Sequence, residues 1–304
     1  MGYVNRKLKK QSQLLLDNIK NKPYVFGIEI TTRCPLKCTY CDRSSIQGGG
    51  ADLELTKLQN VIRKINAKTN VLCGLGEATI HRNFSEVQKM LDCDTMLITS
   101  GSIRLDWDLL LVVGKIKFIS ISLDSPRKET MELISKGYDW ESLLYNLEKA
   151  RQQNKIFVMV NATINEKNCD KLLELVQFAY HKGIRSISIN YPILDDLSFF
   201  EKYGQLIKEQ FKLIDDFMKR TPGIIVDYPG RYKCFVDSSI VSYVDIMQNL
   251  YPCCYAYNLN YSVGNLADET FEQIWENEKY ERFRSGELCR MCIYTRIFEM
   301  MGEL

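Results

Sequence analysis

Apolar and polar positions alternate along this chain in two rhythms. Six short runs, at 24–31, 70–73, 95–99, 118–123, 156–164 and 186–193, are rich in β-branched residues and read as strands. Between them, segments at 55–65, 84–91, 140–151 and 171–181 space their apolar side chains three and four apart, as a helix does when one face meets a core. Strand followed by helix, six times over, predicts an α/β fold with a parallel sheet and helices outside it. Six units fall short of a closed eight-fold barrel, so the expected form is a partial (β/α)6 TIM barrel. In such folds the chemistry gathers at the C-terminal ends of the strands. Beyond residue 193 the rhythm changes. Residues 199–220 read as a longer helix, 223–261 as an irregular stretch that carries cysteines, and 270–286 as a last helix. The expected division is an N-terminal helical extension at 1–23, the barrel at 24–220 and a small C-terminal domain at 221–304.

Composition narrows the function. With 45% hydrophobic residues the chain can bury a sizeable core, and 40 basic against 38 acidic residues leave a net charge of +2. That balance argues against a general nucleic-acid binder, which carries a basic surplus. The strongest apolar run, 109–113, is far too short to span a bilayer. Polar residues at 11–13 follow the basic N-terminus where a secretory signal needs apolar ones. A cytoplasmic protein with no membrane and no nucleic-acid partner is expected. Two counts stand out, 11 cysteines and only 2 histidines. Clustered cysteines in a cytosolic chain point to metal or redox chemistry, whereas so few histidines disfavour a His-ligated zinc hydrolase or a Ser-His-Asp enzyme. His81 reads as a loop or surface residue, and Cys73, Cys93 and Cys169 as small buried hydrophobes.

The first strand leads directly into Cys34-Pro35-Leu36-Lys37-Cys38-Thr39-Tyr40-Cys41, three cysteines at offsets of four and three. Thiolates ligate iron–sulfur clusters, and a [4Fe–4S] cluster normally takes four of them. Three from one loop would leave one iron open to an outside ligand. The alternatives are a zinc site, which favours paired ligands with a second pair elsewhere, or three unrelated thiols.

Cys-x-x-x-Cys-x-aromatic-Cys after the first strand resembles the signature of the radical S-adenosylmethionine (radical SAM) superfamily. The likeness continues at later strand ends, over about residues 24–195. Gly74-Leu75-Gly76-Glu77 is similar to the Gly-Gly-Glu element that meets the SAM amino group. Leu97-Ile98-Thr99-Ser100-Gly101 matches a Thr-Asn-Gly element, with Ser100 in place of Asn. Ser120-Ile121-Ser122-Leu123-Asp124 resembles the stretch whose polar side chains meet the SAM ribose or carboxylate, and Val160-Asn161-Ala162-Thr163 ends the fifth strand in similar style. The resemblance implies a cluster on Cys34, Cys38 and Cys41 and SAM contacts from Tyr40, Gly76, Glu77, Ser100, Ser122, Asp124 and Asn161. Tyr40 is equally suited to packing the cluster loop, and Ser122 or Asp124 to capping the next helix.

A second group comprises Cys234, Cys253, Cys254, Cys289 and Cys292. Cys234, one of the Cys253–Cys254 pair, Cys289 and Cys292 make four ligands, enough for structural zinc or a closed [4Fe–4S] cluster. The order Pro252-Cys253-Cys254, Val263-Gly264-Asn265-Leu266, Phe271-Glu272-Gln273-Ile274-Trp275 and Cys289-Arg290-Met291-Cys292 resembles the SPASM or shortened "twitch" domain of one radical SAM subgroup. That implies one auxiliary cluster, with Cys253 at the usual position after Pro. Cys254 is then spare, either as a bystander or as the donor of a hydrogen atom to a substrate radical, as in some epimerases of the subgroup.

The resemblance thus implies two [4Fe–4S] clusters and SAM, reduction by a flavodoxin or ferredoxin, and reductive cleavage of SAM to a 5′-deoxyadenosyl radical that takes hydrogen from a substrate. The expected outcome is oxidation or epimerisation of a small polar molecule. Many peptide modifiers of this subgroup carry a leader-binding domain before the triplet, and here 33 residues precede Cys34. Epimerisation or cross-linking of a short peptide is the alternative. A non-catalytic metal-binding scaffold is the alternative of another class.

Overall fold

The computed structural model describes residues 25–41, 43, 50–192, 196–229, 241–253, 256–257 and 259–302. The expected extension at 1–23 lies outside them. One sheet of ten strands dominates, in the order β12-β11-β10-β1-β3-β4-β5-β7-β8-β9. Its centre is the six expected strands: β1 (Val25–Ile28), β3 (Thr69–Leu72), β4 (Thr95–Thr99), β5 (Ile116–Ser122), β7 (Phe157–Thr163) and β8 (Ser186–Asn190). All run parallel. This is an α/β sheet in the style of a partial barrel.

The stretch expected to be irregular carries strands among its described residues. It holds β9 (Ile225–Asp227), which pairs parallel to β8, and β10 (Val241–Val244), which pairs parallel to β1 at the other side of the sheet. The antiparallel strands β11 (Asn249–Tyr251) and β12 (Gly264–Asn265) follow. Their pairing comes from the neighbouring edge. The two-residue strands β2 (Lys37–Cys38) and β6 (Ser135–Lys136) form a separate antiparallel pair.

Side-chain alternation separates the two faces of the sheet. In β8, Ile187 and Ile189 are buried while Ser186, Ser188 and Asn190 are half-buried; in β7, Val160 and Ala162 are buried while Asn161 and Thr163 are half-buried. The apolar face meets helices. The Leu55–Ile65 helix buries Leu58, Val61, Ile62 and Ile65, and the Leu172–His181 helix buries Leu172, Leu175, Val176 and Ala179. Each buried Leu, Ile or Val of these helices contributes about 1.5–3 kcal/mol. Asp139 caps the Trp140–Arg151 helix by accepting from the N–H groups of Glu141 and Ser142.

The single helix expected at 270–286 is broken. Phe271–Trp275 begins with a capping box between Thr270 and Gln273, and Asn277 then adopts an extended conformation and caps a new helix, Glu278–Arg284. Two more follow, Glu287–Met291 and Ile293–Met301. This C-terminal part packs back on the barrel. Phe26 of β1 lies edge-on to Phe271 at 5.4 Å, and the Tyr294 hydroxyl donates to the Tyr191 carbonyl at 2.9 Å.

Candidate radical SAM site

β1 delivers the chain to the cysteine loop, and a buried carboxylate fixes its entry. Asp52, with its side chain 6% exposed, accepts from Arg33 Nε at 2.9 Å, from Thr31 Oγ1 at 2.7 Å and from Arg82 Nε at 2.9 Å. Burial pushes the Asp52 carboxyl up, but these hydrogen bonds outweigh it and hold the group below the usual carboxylate range. Arg33 also donates to the Ile80 carbonyl at 2.6 Å, so its guanidinium links the cysteine loop to the loop after β3.

Cys34, Cys38 and Cys41 are half-buried. Cys38 stands in β2 opposite Ser135, whose hydroxyl donates to Cys38 Sγ at 3.1 Å, and the Cys41 N–H donates to the Cys38 carbonyl at 3.3 Å. Burial pushes the Cys34 thiol up, and Glu77 and Cys41 add to this. Burial likewise raises Cys38 to about 11, with Cys41, Cys34 and Asp124 acting in the same direction. The three thiols therefore feel one another. Among the described residues no three ligand side chains converge on one point for a single ion. Thiols held around one loop, with a hydroxyl donor at one sulfur, suit a cluster in which each sulfur meets a different iron.

Tyr40, between the last two cysteines, donates its hydroxyl proton to Asp124 Oδ2 at 2.5 Å. Asp124 is 1% exposed, and its other oxygen accepts from the Thr163 N–H at 2.7 Å. Complete burial raises this carboxyl to about 6 despite both bonds. Both oxygens of Asp124 are thus engaged within the protein.

The turn after β3 lies against this loop. The Glu77 N–H donates to the Arg33 carbonyl at 2.8 Å. At Gly76 a Cβ would stand 2.0 Å from the Thr31 carbonyl oxygen, so only glycine permits the contact. Glu77, 3% exposed, accepts on Oε1 from Thr79 Oγ1 and Thr99 Oγ1, each at 2.8 Å, and on Oε2 from the Ser100 N–H at 2.7 Å. A carboxylate oxygen accepts about two hydrogen bonds, so Oε2 keeps capacity for an ammonium group. Ser100 Oγ accepts from the Ser102 N–H at 3.2 Å. The Tyr138 hydroxyl reaches the carbonyls of Ser100, at 2.7 Å, and Ser122, at 3.4 Å. Asn161 Oδ1 accepts from Asn190 Nδ2 at 2.5 Å. The expected SAM-contacting residues therefore gather at the C-terminal ends of β3, β4, β5 and β7 beside the cysteine loop.

His81 is buried in its loop rather than at the surface, with Nε2 3.0 Å from the Leu53 carbonyl. Of the three cysteines expected to be buried, only Cys169 is; Cys73 and Cys93 are half-buried because they lie at a strand end and in a loop. Sequence reasoning missed Asp52, Tyr138, Ser135 and Glu29. Only Glu29 carried a signal, a lone carboxylate in an apolar strand run.

In the C-terminal part, Cys253 is buried after β11 and its sulfur accepts from the Ala256 N–H at 3.3 Å. Cys289 lies in the Glu287–Met291 helix, Cys292 sits between two helices, and the Thr295 hydroxyl donates to the Cys289 carbonyl at 2.8 Å. Cys234 and Cys254 lie outside the described residues.

Comparison with known proteins agrees with this geometry. The chain matches the Radical SAM superfamily over residues 28–179 and the SPASM iron–sulfur cluster-binding domain over residues 234–293. This chain belongs to the radical SAM superfamily and carries a C-terminal SPASM domain. Its cofactors are SAM and [4Fe–4S] clusters. Among curated relatives, GTP 3′,8-cyclase of Clostridium perfringens (strain SM101 / Type A) is 26% identical over 62% of this chain and 63% of its own length. The antilisterial bacteriocin subtilosin biosynthesis protein AlbA of Bacillus subtilis is 23% identical over 82% of this chain and 58% of its own. The chain thus spans less than two thirds of the length of these relatives. Among solved structures, Streptococcus suis SuiB bound to its precursor peptide SuiA has a TM-score of 0.68 at 14% identity, covering 92% of this chain and 71% of that one. The enzyme anSMEcpe with bound AdoMet and the Cp18Cys peptide has a TM-score of 0.66 at 17% identity, covering 86% and 82%. No helix among the described residues is long and apolar enough to cross a membrane.

Proposed function

We propose that this protein reductively cleaves SAM and uses the resulting radical to take a hydrogen atom from a peptide. The observation that carries the first half is the contact between the turn bearing Glu77 and the cysteine loop, which brings a buried carboxylate within electrostatic reach of the Cys34 thiol. In this reading Cys34, Cys38 and Cys41 hold the SAM-binding cluster, and Cys234, Cys253, Cys289 and Cys292 the auxiliary one. A [4Fe–4S] cluster held by Cys34, Cys38 and Cys41 would supply the electron for reductive cleavage of SAM. The chain's own residues do the positioning. Glu77 Oε2 receives the SAM ammonium group, Gly76 lets the turn approach β1, and half-buried Ser122 and Asn161 line the strand ends where the nucleoside lies. Asp124 acts through Tyr40 to hold the cysteine loop.

A peptide substrate is supported by AlbA, a bacteriocin biosynthesis protein matched over 82% of this chain, and by the peptides held in SuiB and anSMEcpe. Oxidation or epimerisation of a small polar molecule is the competing outcome of the same experiment.

The test compares anaerobically reconstituted wild type with the Cys34→Ala/Cys38→Ala/Cys41→Ala variant for iron, sulfide and 5′-deoxyadenosine release under dithionite. Two clusters correspond to ~8 irons, falling to ~4 in the variant with cleavage abolished. Wild type without iron or cleavage would refute the reading. Candidate peptides and small polyols then discriminate substrate class, by solvent-deuterium incorporation and product mass.

A further inference from the structure

Directly behind the 74–77 turn stands a buried carboxyl group that none of the expected SAM or cluster contacts includes. Glu29 follows β1, is 1% exposed, and accepts the Leu75 N–H on Oε1 at 2.8 Å. The turn is moulded on this side chain. Gly74 has φ +143°, and a Cβ there would lie 2.6 Å from both Cγ and Oε1 of Glu29. The chain can therefore pass only as glycine, in a conformation that other residues rarely adopt.

The second oxygen faces the other way. Glu29 Oε2 and the Tyr243 hydroxyl are both buried, and the Tyr243 hydroxyl and the Ile246 backbone both favour the charged form of Glu29. Tyr243 belongs to β10 and lies opposite Gly27, whose missing side chain makes room for it: a Cβ would stand 3.0 Å from Tyr243 Cδ2. The Tyr243 ring packs in turn on Tyr257 at 5.1 Å and Tyr251 at 6.1 Å. One carboxyl group thus touches two segments far apart in sequence, the turn that ends in Glu77 and a strand within the SPASM match.

Burying such a group is unfavourable unless something is gained from it. A core position behind a strand would be filled more stably by an apolar side chain. What Glu29 supplies instead is a fixed acceptor for one backbone N–H, two residues before Glu77.

We propose that Glu29 is a positioning residue: it sets the 74–77 turn so that Glu77 meets the amino group of SAM, and Tyr243 braces it from β10. The inference rests on reading that turn as the SAM loop, and it adds a mechanical link between the C-terminal strand and SAM binding. Glu29 touches neither SAM nor the cluster. Its replacement shifts affinity for SAM and leaves the cleavage chemistry intact once the site is full.

The experiment titrates SAM into anaerobically reconstituted protein by calorimetry, for wild type, Glu29→Ala, Glu29→Gln and Tyr243→Phe. Iron content, the thermal midpoint and the 5′-deoxyadenosine rate at saturating SAM are recorded beside it. Misplacing a binding group by about 1 Å costs up to ~100-fold, so Glu29→Ala is expected to bind SAM about 10–100-fold more weakly with iron content unchanged. The saturated rate should stay within about threefold, the split expected when only binding is lost. Glu29→Gln keeps an oxygen acceptor for Leu75 and should recover affinity to within about threefold of wild type. Tyr243→Phe should weaken SAM binding by about twofold to tenfold, as loss of one brace. Wild-type SAM affinity in Glu29→Ala, with only the thermal midpoint lowered, would overturn the proposal in favour of a structural role. Failure of Gln to restore what Ala loses would overturn it as well. If Glu29→Ala does not fold, the other two variants decide: Gln must bind SAM as wild type does and Tyr243→Phe more weakly. Wild type that holds iron but binds no SAM would instead refute the reading of the turn itself.

Discussion

The Tyr40 hydroxyl donates to the buried carboxylate of Asp124 across 84 residues of sequence, and this bond ties the cysteine loop to the end of β5. Asp124 holds the backbone of Thr163 with its other oxygen, so one side chain joins the loop to two strand ends. Tyr40→Phe would leave Asp124 Oδ2 buried and unpaired, at a cost of about 1–3 kcal/mol. Chemical denaturation should register that loss, and the variant should release iron from the first site faster than wild type during gel filtration. Unchanged stability and iron retention would mean that the Tyr40 ring alone anchors the loop.

Glu29 gives the fold a pH dependence near neutrality. Burial raises its carboxyl from 4.5 to about 7 against the N–H bond from Leu75. A group raised in this way stabilises the folded state fully below its unfolded value, and the contribution is lost as pH rises through about 7. The span corresponds to about 3 kcal/mol. Glu29→Gln, which cannot ionise, should flatten the stability profile between pH 5 and 8 measured by urea unfolding. Asp124, raised to about 6 by burial, acts in the same direction and should leave a smaller residual slope.

Gly76→Ala should expel the turn from β1. The added Cβ meets backbone atoms of Thr31 and Arg33 that belong to the entry of the cysteine loop, so no side-chain rotation relieves it. Overpacking of this kind costs about 1–3 kcal/mol or more. SAM binding should fall below detection by calorimetry while circular dichroism still reports the barrel. Normal SAM affinity would show that the turn tolerates displacement.

Asp52 serves the loop from the opposite side. Asp52→Ala strips Arg33, Thr31 and Arg82 of their shared acceptor. Arg82 is 71% exposed and contributes little, so the loss is set by Arg33 and Thr31, at about 2 kcal/mol. Because the Asp52 carboxyl is held below the ordinary range, this contribution is present at neutral pH and disappears only in acid. Thermal melts at neutral pH should fall by several degrees, and the difference from wild type should shrink in acid.

The barrel was legible because its β-branched runs alternate with helices that repeat their apolar spacing over several turns. The Leu55–Ile65 and Trp140–Arg151 helices start and stop where the spacing of apolar residues does. β9 and β10 were not legible, since they lie outside the strand–helix rhythm and pairing with a distant edge creates the strand. The break at Asn277 was readable in principle, an Asn followed by Glu278 being a helix start signal within an otherwise continuous pattern. At the site, the cysteines and Glu77 declare themselves by spacing. Asp52 and Tyr138 do not, because their roles come from tertiary hydrogen bonds between segments 19 to 38 residues apart.

The position of β1 has a consequence for how the protein is made. It lies between β3 and β10, and its register with β10 joins residues roughly two hundred positions apart. On the ribosome, the strand that carries the cysteine loop has one neighbour early and gains the other only when most of the chain has emerged. Until then Tyr243 is absent from behind Glu29, and the turn that bears Glu77 rests on an unbraced support. Iron delivered to the nascent chain would meet a half-bedded loop. The topology therefore predicts that the polypeptide completes its sheet before it holds its clusters firmly, which iron binding by chains truncated before β10 would test.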